Sequence, residues 1–153
     1  MLHIILYQPE IPYNTGAIAR TCALTKSKLH LIKPLGFSVD DKHLKRAGLD
    51  YWPLVDISYY DSFEDFAKSF QGQLYFASTH GHKKYSDVTY KDGDGIVFGR
   101  ETAGLPEEIM DKYRDKLIRI PMRGDLKRSL NLANSANILI YEALRQNDFF
   151  GLE

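Results

Sequence analysis

Compact apolar runs alternate along this chain with stretches whose apolar residues recur at helical spacing. Leu2, His3, Ile4, Ile5, Leu6 and Tyr7 form the first run, nearly unbroken, as expected of a strand buried on both faces. Pro9 and Pro12 impose an extended loop after it. Asn14 stands where it can cap a helix over 16–25, which places Ile18 and Cys22 one turn apart on its packed face. Further strands are predicted over 29–32, 55–60, 74–77, 95–98 and 117–120, with Pro34, Gly36 and Pro121 as stops. Asp40 or Asp41 caps a short basic helix carrying Lys42, His43, Lys45 and Arg46 and ending at Gly48. Ser62 followed by Asp65 opens a helix over 63–70, Pro106 opens one to 113, and the last helix covers 132–145. Residues 80–94 read as a long polar loop. This alternation predicts an α/β fold, a mostly parallel sheet flanked by helices. The order of elements by itself gives an ordinary flavodoxin-like sheet.

Composition narrows the class without naming a function. The 153 residues contain no repeat, linker or low-complexity stretch, so residues 1–153 are read as one domain. Twenty basic and 20 acidic side chains cancel, so overall charge points to neither nucleic acid nor membrane, although a local basic patch can still bind RNA. The single cysteine, Cys22, excludes an intrachain disulfide and fits a reducing compartment. Its place on a helix's packed face makes it an apolar group rather than a nucleophile. No apolar run reaches the length of a signal core or a membrane span, and a cytoplasmic protein is expected. His80 and His82 lack partners at metal-ligand spacing, so no metal is expected; His3 and His30 alternate with apolar residues and read as structural.

Three segments carry more polar chemistry than packing needs. The first runs from Asn14 through Thr15 and Gly16 to Arg20, the second from Phe98 through Gly99, Arg100, Glu101 and Gly104 to Pro106, and the third from Ser129 through Asn131 to Ser135. The first lies where a strand feeds a helix, the usual ligand edge of an open α/β sheet. Arg20 is the only charge between Glu10 and Lys26, on a helix otherwise of small and apolar residues, so it is expected to face a polar site or an interface. The second segment matches neither a P-loop nor the dinucleotide fingerprint. Gly99 permits close approach of a ligand to the backbone and Gly104 a left-handed turn. A tight strand-to-helix turn with Glu101 bracing nearby N–H groups is the alternative, but it leaves the charged pair Arg100-Glu101 at the end of a buried strand unexplained. The third is rich in amides and hydroxyls, poor helix formers that suit an N-terminal turn where free N–H groups meet polar ligands. Capping alone accounts for Asn131 but not for Asn134, Ser135 and Asn137.

Taken in order, these strings resemble the motifs of SPOUT-superfamily RNA methyltransferases. The closer match is to the small stand-alone tRNA (cytidine/uridine-2′-O-)methyltransferases of the TrmL, or YibK-like, group. The likeness extends from Pro9-Glu10-Ile11-Pro12 and Asn14-Thr15-Gly16, through Gly36-Phe37, Asp40-Asp41-Lys42 and Arg46-Ala47-Gly48-Leu49-Asp50-Tyr51. It continues in the loop over 99–106, in Ile118-Arg119-Ile120-Pro121-Met122 and in Ser129-Leu130-Asn131-Leu132.

The resemblance implies S-adenosylmethionine-dependent methylation of a ribose 2′-hydroxyl at the tRNA wobble nucleotide. It also implies a C-terminal trefoil knot, against the general prior for chain topology, and a homodimer whose active site is shared. By position it puts cofactor contacts at Ala77, Ser78, Thr79, Gly99, Glu101, Gly104, Ile118, Ile120, Ser129 and Leu130. The catalytic set would be Arg20, Ser129 and Asn131. A guanidinium keeps its proton in proteins, so Arg20 would orient the hydroxyl and adjacent phosphate rather than act as a base. Substrate contacts would fall at Asn14, Arg20, Lys42, Arg46, Arg128 and Tyr141, with dimer packing an equal reading for Tyr141. Lys83 with Lys84, and Arg123 with Lys127 and Arg128, are further basic patches for salt-sensitive RNA binding.

The chain departs from the common pattern at Tyr13, at Lys26-Ser27, at Arg100 and at Ala133, which bears on substrate preference more than on activity. Two other readings stand beside it: a ribosomal RNA ribose methyltransferase, and a cofactor- or RNA-binding protein without catalysis.

Overall fold

The computed structural model of the chain describes residues 1–38, 42 and 49–153. Among these, seven strands form one parallel sheet. They are β1 (His3–Tyr7), β2 (Lys28–Ile32), β3 (Ile57–Tyr60), β4 (Leu74–Ala77), β5 (Lys83–Lys84), β6 (Gly95–Phe98) and β7 (Leu117–Arg119). The helices are α1 (Pro12–Thr25), α2 (Phe63–Ser69), α3 (Glu107–Lys112) and α4 (Leu132–Gln146). No helix among the described residues is long and apolar enough to cross a membrane.

The strand order is β3-β2-β1-β6-β4-β7-β5. This is not the flavodoxin-like order expected: β3 lies outside β2 rather than beside β1, β6 inserts between β1 and β4, and β7 lies outside β4. The short apolar run Gly95-Ile96-Val97-Phe98 suits the central slot, and all four of its residues are buried there. The segment expected to be a polar loop also contains structure: Lys83 and Lys84 pair with Ile118 and Arg119 as the edge strand. Two lysines on an edge discourage pairing with another chain.

Both faces of the sheet are covered, which is why its strands read as continuous apolar runs. Ile4 and Leu6 face one core with Ile18, Ala19 and Cys22 of α1 and Ala136, Leu139 and Ile140 of α4. Ile5 faces the other, with Phe63 and Phe66 of α2, Phe76, Val97 and Ile109. Cys22 is fully buried, and desolvation pushes its thiol pKa up to about 12, so it stays a packed thiol.

Helix α1 begins earlier than the sequence predicts. Pro12 occupies its first turn and Ile11 is the cap residue, with no side-chain cap bond. Asn14 is therefore inside the helix and buried, not its cap. The fixed φ of proline favours nucleation at that point. At the other end Lys26 takes the left-handed conformation (φ 54°) that glycine adopts at lower cost.

His3 and His30 have the structural role expected of them. His3 Nδ1 lies 2.9 Å from His30 Nε2, and His30 Nδ1 lies 2.9 Å from the Tyr60 hydroxyl. The His30 ring also packs edge-on to Phe66. Burial, then His3 and Lys28, push the His30 pKa down to about 3; burial, then Lys28, lowers that of His3. An unfolded histidine titrates near about 6.5. As pH falls from there towards 3, the unfolded chain takes up a proton that folded His30 refuses, and stability drops by up to ~1.4 kcal/mol per pH unit. Urea midpoints measured from pH 7 to pH 4 should fall steeply for wild type and less so for His30→Gln. Equal slopes would show that another group governs acid unfolding.

Candidate functional site

The three polar segments meet at the carboxyl edge of the sheet, and a set of hydrogen bonds joins them. From the loop after β6, the Glu101 carboxylate accepts the backbone N–H groups of Glu10 (2.9 Å) and Ile11 (2.7 Å). These lie at the entrance to α1, so the cap missing from that helix's own sequence is supplied from 90 residues away. Glu101 also accepts Asn14 Nδ2 at 3.3 Å. The Asn14 Oδ1 in turn accepts Asn131 Nδ2 at 3.0 Å, and Asn131 Oδ1 caps α4 through Ala133 N–H (2.8 Å) and Asn134 N–H (3.2 Å). Glu101, Asn14 and Asn131 thus form one line of polar contacts between start, middle and end of the chain.

The loop between β6 and α3 is folded on itself. Arg100 and Gly104 exchange backbone hydrogen bonds (3.2 and 3.0 Å), and Gly104 has φ +67°. A Cβ on Gly99 would lie 2.4 Å from the carbonyl carbon of Gly104 and the nitrogen of Leu105, so only glycine permits this closure. The Arg100 guanidinium lies 5.5 Å over the Tyr7 ring, with its Nε bonded to Gly104 O at 3.3 Å.

Beside this loop is a cavity of about 570 Å³, within the range of small-molecule sites. Ala77, Ser78 and Thr79 line it from the end of β4. Gly99, Glu101 and Gly104 line it from the loop after β6. Ile118, Ile120, Ser129 and Leu130 close it from β7 and the approach to α4, with Asn14 and Asn131 between. Phe98, Leu105, Met110 and Leu139 add apolar wall that sequence reasoning did not assign. Phe98 and Leu105 flank the glycine loop, Met110 lies on α3 and Leu139 on α4, and nothing in their local apolar pattern separates cavity wall from ordinary core.

Other candidates lie elsewhere. Arg20 is exposed on α1, outside the cavity lining, with its guanidinium 4.7 Å over the Tyr51 ring. Tyr141 is also outside the lining and 48% exposed. Lys42 and Arg128 are exposed and do not line the cavity. Arg46 and most of the predicted basic helix lie outside the described residues. Arg123 is held in an exposed fork by Asp125 (3.0 and 2.6 Å), and Lys83 Nζ bonds the Asp115 carbonyl at 3.0 Å. Asn137 joins the two helices below the site, accepting the Thr21 hydroxyl at 2.7 Å. No cluster of three metal-ligating side chains occurs among the described residues.

A mixed cavity of this kind suits a ligand with an apolar ring system and a polar tail. Its flat aliphatic and aromatic walls would take the ring, and its amides, hydroxyl and loop N–H groups would take the tail. Similarity to known proteins is extensive. The tRNA (cytidine(34)-2′-O)-methyltransferase of Methylovorus glucosotrophus is 50% identical over 153 residues, spanning 99% of each chain. A solved structure concerned with 2-OH methylation of C/U34 on tRNA superposes with a TM-score of 0.91 at 45% identity, over 97% of both chains. The AdoMet-bound rRNA methyltransferase from Sinorhizobium meliloti gives 0.83 at 27% identity, over 94% of this chain but 56% of that longer one. Residues 1–141 match the family described as SpoU rRNA Methylase. With its parallel sheet, its self-closed glycine loop and its joined polar segments, this chain belongs to the SpoU methylase family.

Proposed function

We propose that the protein methylates the ribose 2′-hydroxyl of the wobble nucleotide of tRNA, cytidine or a modified uridine, with S-adenosylmethionine as donor. The observation that carries this reading is the convergence of all three polar segments on one cavity, in a chain that matches a tRNA (cytidine(34)-2′-O)-methyltransferase end to end. Ribosomal RNA is the weaker target, since the rRNA enzyme it resembles is 27% identical to this chain and the tRNA enzyme 50%.

The cavity's composition fits the donor. The apolar wall of Ala77, Phe98, Leu105, Ile118 and Leu130 would hold the adenosyl group, and Ser129 with the backbone of the 99–104 loop would hold the methionyl end. Bound there, S-adenosylmethionine supplies an electrophilic methyl group on a sulfonium. The protein's own contribution is orientation and charge. Asn14 and Asn131 are locked by Glu101 and by the cap of α4, so they present fixed groups to the site. A ribose hydroxyl is a poor nucleophile, and a guanidinium that fixes it with the neighbouring phosphate aligns it for attack. The hydroxyl proton passes to that phosphate or to water, because arginine holds its own proton.

Arg20 serves this role from a second copy of the chain. It is exposed on α1 outside the lining of its own cavity, and Tyr13 and Leu24 of α1 and Tyr141 of α4 are exposed as well, apolar groups suited to a homodimer interface. The knotted threading of the C-terminal segment and a cytoplasmic location belong to the same proposal. The test is to incubate the protein with total RNA and labelled S-adenosylmethionine and to map the label. Label at a tRNA wobble ribose is the expected result. Label confined to ribosomal RNA would overturn the substrate, and cofactor binding without transfer would overturn catalysis.

A further inference from the structure

Between the entrance to α1 and the tip of the 99–106 loop there is a second contact, the mirror of the one made by Glu101. The Glu10 carboxylate accepts the backbone N–H of Thr102 (3.0 Å) and the Thr102 hydroxyl (2.8 Å to Oε1, 3.1 Å to Oε2). Each segment thus gives a carboxylate to the other's backbone: Glu101 to the N–H groups of 10 and 11, Glu10 to that of 102. Glu10 does not line the cavity, whereas Thr102 and Ala103 at the loop tip do.

The two halves of this exchange differ in setting. Glu101 is tied into the interior through buried Asn14. The Glu10–Thr102 half is the outer one, with Thr102 exposed. Its other side is fixed, because Gly36 donates its N–H to Pro9 O at 2.9 Å and a Cβ on Gly36 would lie 2.8 Å from the backbone of Glu10. Glu10 therefore has a held backbone and a carboxylate reaching across to the loop. The two Thr102 hydrogen bonds keep that carboxyl below the usual carboxylate range, so at neutral pH it is a charged acceptor.

We propose that Glu10 is a positioning residue for the cofactor: with Thr102 it clasps the tip of the 99–106 loop to the entrance of α1 and holds that loop in its cofactor-binding shape. The loop is closed internally only by the Arg100–Gly104 pair, so its angle over the cavity depends on what its tip is tied to. This inference rests on the cavity being the S-adenosylmethionine site. Thr102 supplies two donors to one charged acceptor, and charge-assisted bonds of this kind are the stronger class.

The test is a double-mutant cycle read by calorimetric titration with S-adenosylmethionine, alongside thermal melts and steady-state kinetics. Glu10→Ala and Thr102→Val should each weaken cofactor binding, by about tenfold for the first. The double variant should bind no more weakly than Glu10→Ala alone, and Thr102→Ser should bind like wild type because it keeps both donors. KM for tRNA should move much less than KM for the cofactor. In cofactor-free protein, amide exchange across 99–106 should quicken in Glu10→Ala. Unchanged cofactor affinity with only a lowered melting temperature would overturn the proposal, as would additive losses in the double variant. Failure of wild type to bind S-adenosylmethionine would instead remove the cofactor reading, and the exchange measurement would still report whether the clasp holds the loop.

Discussion

Arg20→Ala should lower methyl transfer to tRNA by about 10²–10³-fold while cofactor binding stays near the wild-type value. The expectation follows from where the residue sits. Arg20 is exposed and outside the cavity of its own chain, so its loss removes no wall or floor of that cavity. Its ring neighbour, Tyr51, holds the guanidinium from one side at 4.7 Å and leaves its donors available to a phosphate or hydroxyl. Lysine at this position should restore only part of the rate, because a point charge cannot reproduce a planar fork. A mixed-dimer experiment locates the action. Pairing an Arg20→Ala chain with a chain whose cavity is inactivated should recover transfer if each arginine serves the other copy. Loss of cofactor binding in Arg20→Ala would contradict the assigned role, and full activity would remove Arg20 from the catalytic set.

Glu101→Ala carries the second large effect, and its first consequence is on folding. The substitution leaves two backbone N–H groups at the start of α1 and the buried Asn14 amide without their acceptor. A loss of about 2–3 kcal/mol in unfolding free energy is expected, the cost of unmet donors facing a formerly charged acceptor. Cofactor affinity should fall as well, since the same carboxylate fixes the loop that lines the cavity. Glu101→Gln separates the two consequences. It keeps one acceptor oxygen but turns an NH2 group towards donors, so it should recover part of the stability and little of the affinity. Denaturant melts with calorimetric binding on the same samples check both. Wild-type stability in Glu101→Ala would mean that the N–H groups of α1 find water without cost.

Much of the architecture was legible in the chain because the physics is local. Continuous apolar runs marked strands covered on both faces, and Ser62 marked the start of α2, where its hydroxyl accepts Asp65 N–H at 3.1 Å. Asn14 shows the limit of such reasoning. In a strand-to-helix loop an asparagine reads as a cap; here Pro12 starts the helix earlier and Glu101 engages the Asn14 amide, so Asn14 lies within the first turn instead. The Glu10–Thr102 contact had no local signal beyond a carboxylate set between two prolines.

The sequence by itself determined most of the strands and helices, the glycines that the loop after β6 requires and the residue kinds that a polar site needs. Propensity, turn chemistry and apolar period act over a few neighbouring residues, and those neighbours are visible in a string of letters. The tertiary structure alone decided that β6 lies between β1 and β4, that Glu101 holds the entrance of a helix 90 residues earlier, and that Arg20 lies outside the cavity lined by the other two segments. Strand order and partner choice are settled by which buried surfaces fit best across the whole sheet, a global competition that no short stretch of sequence records.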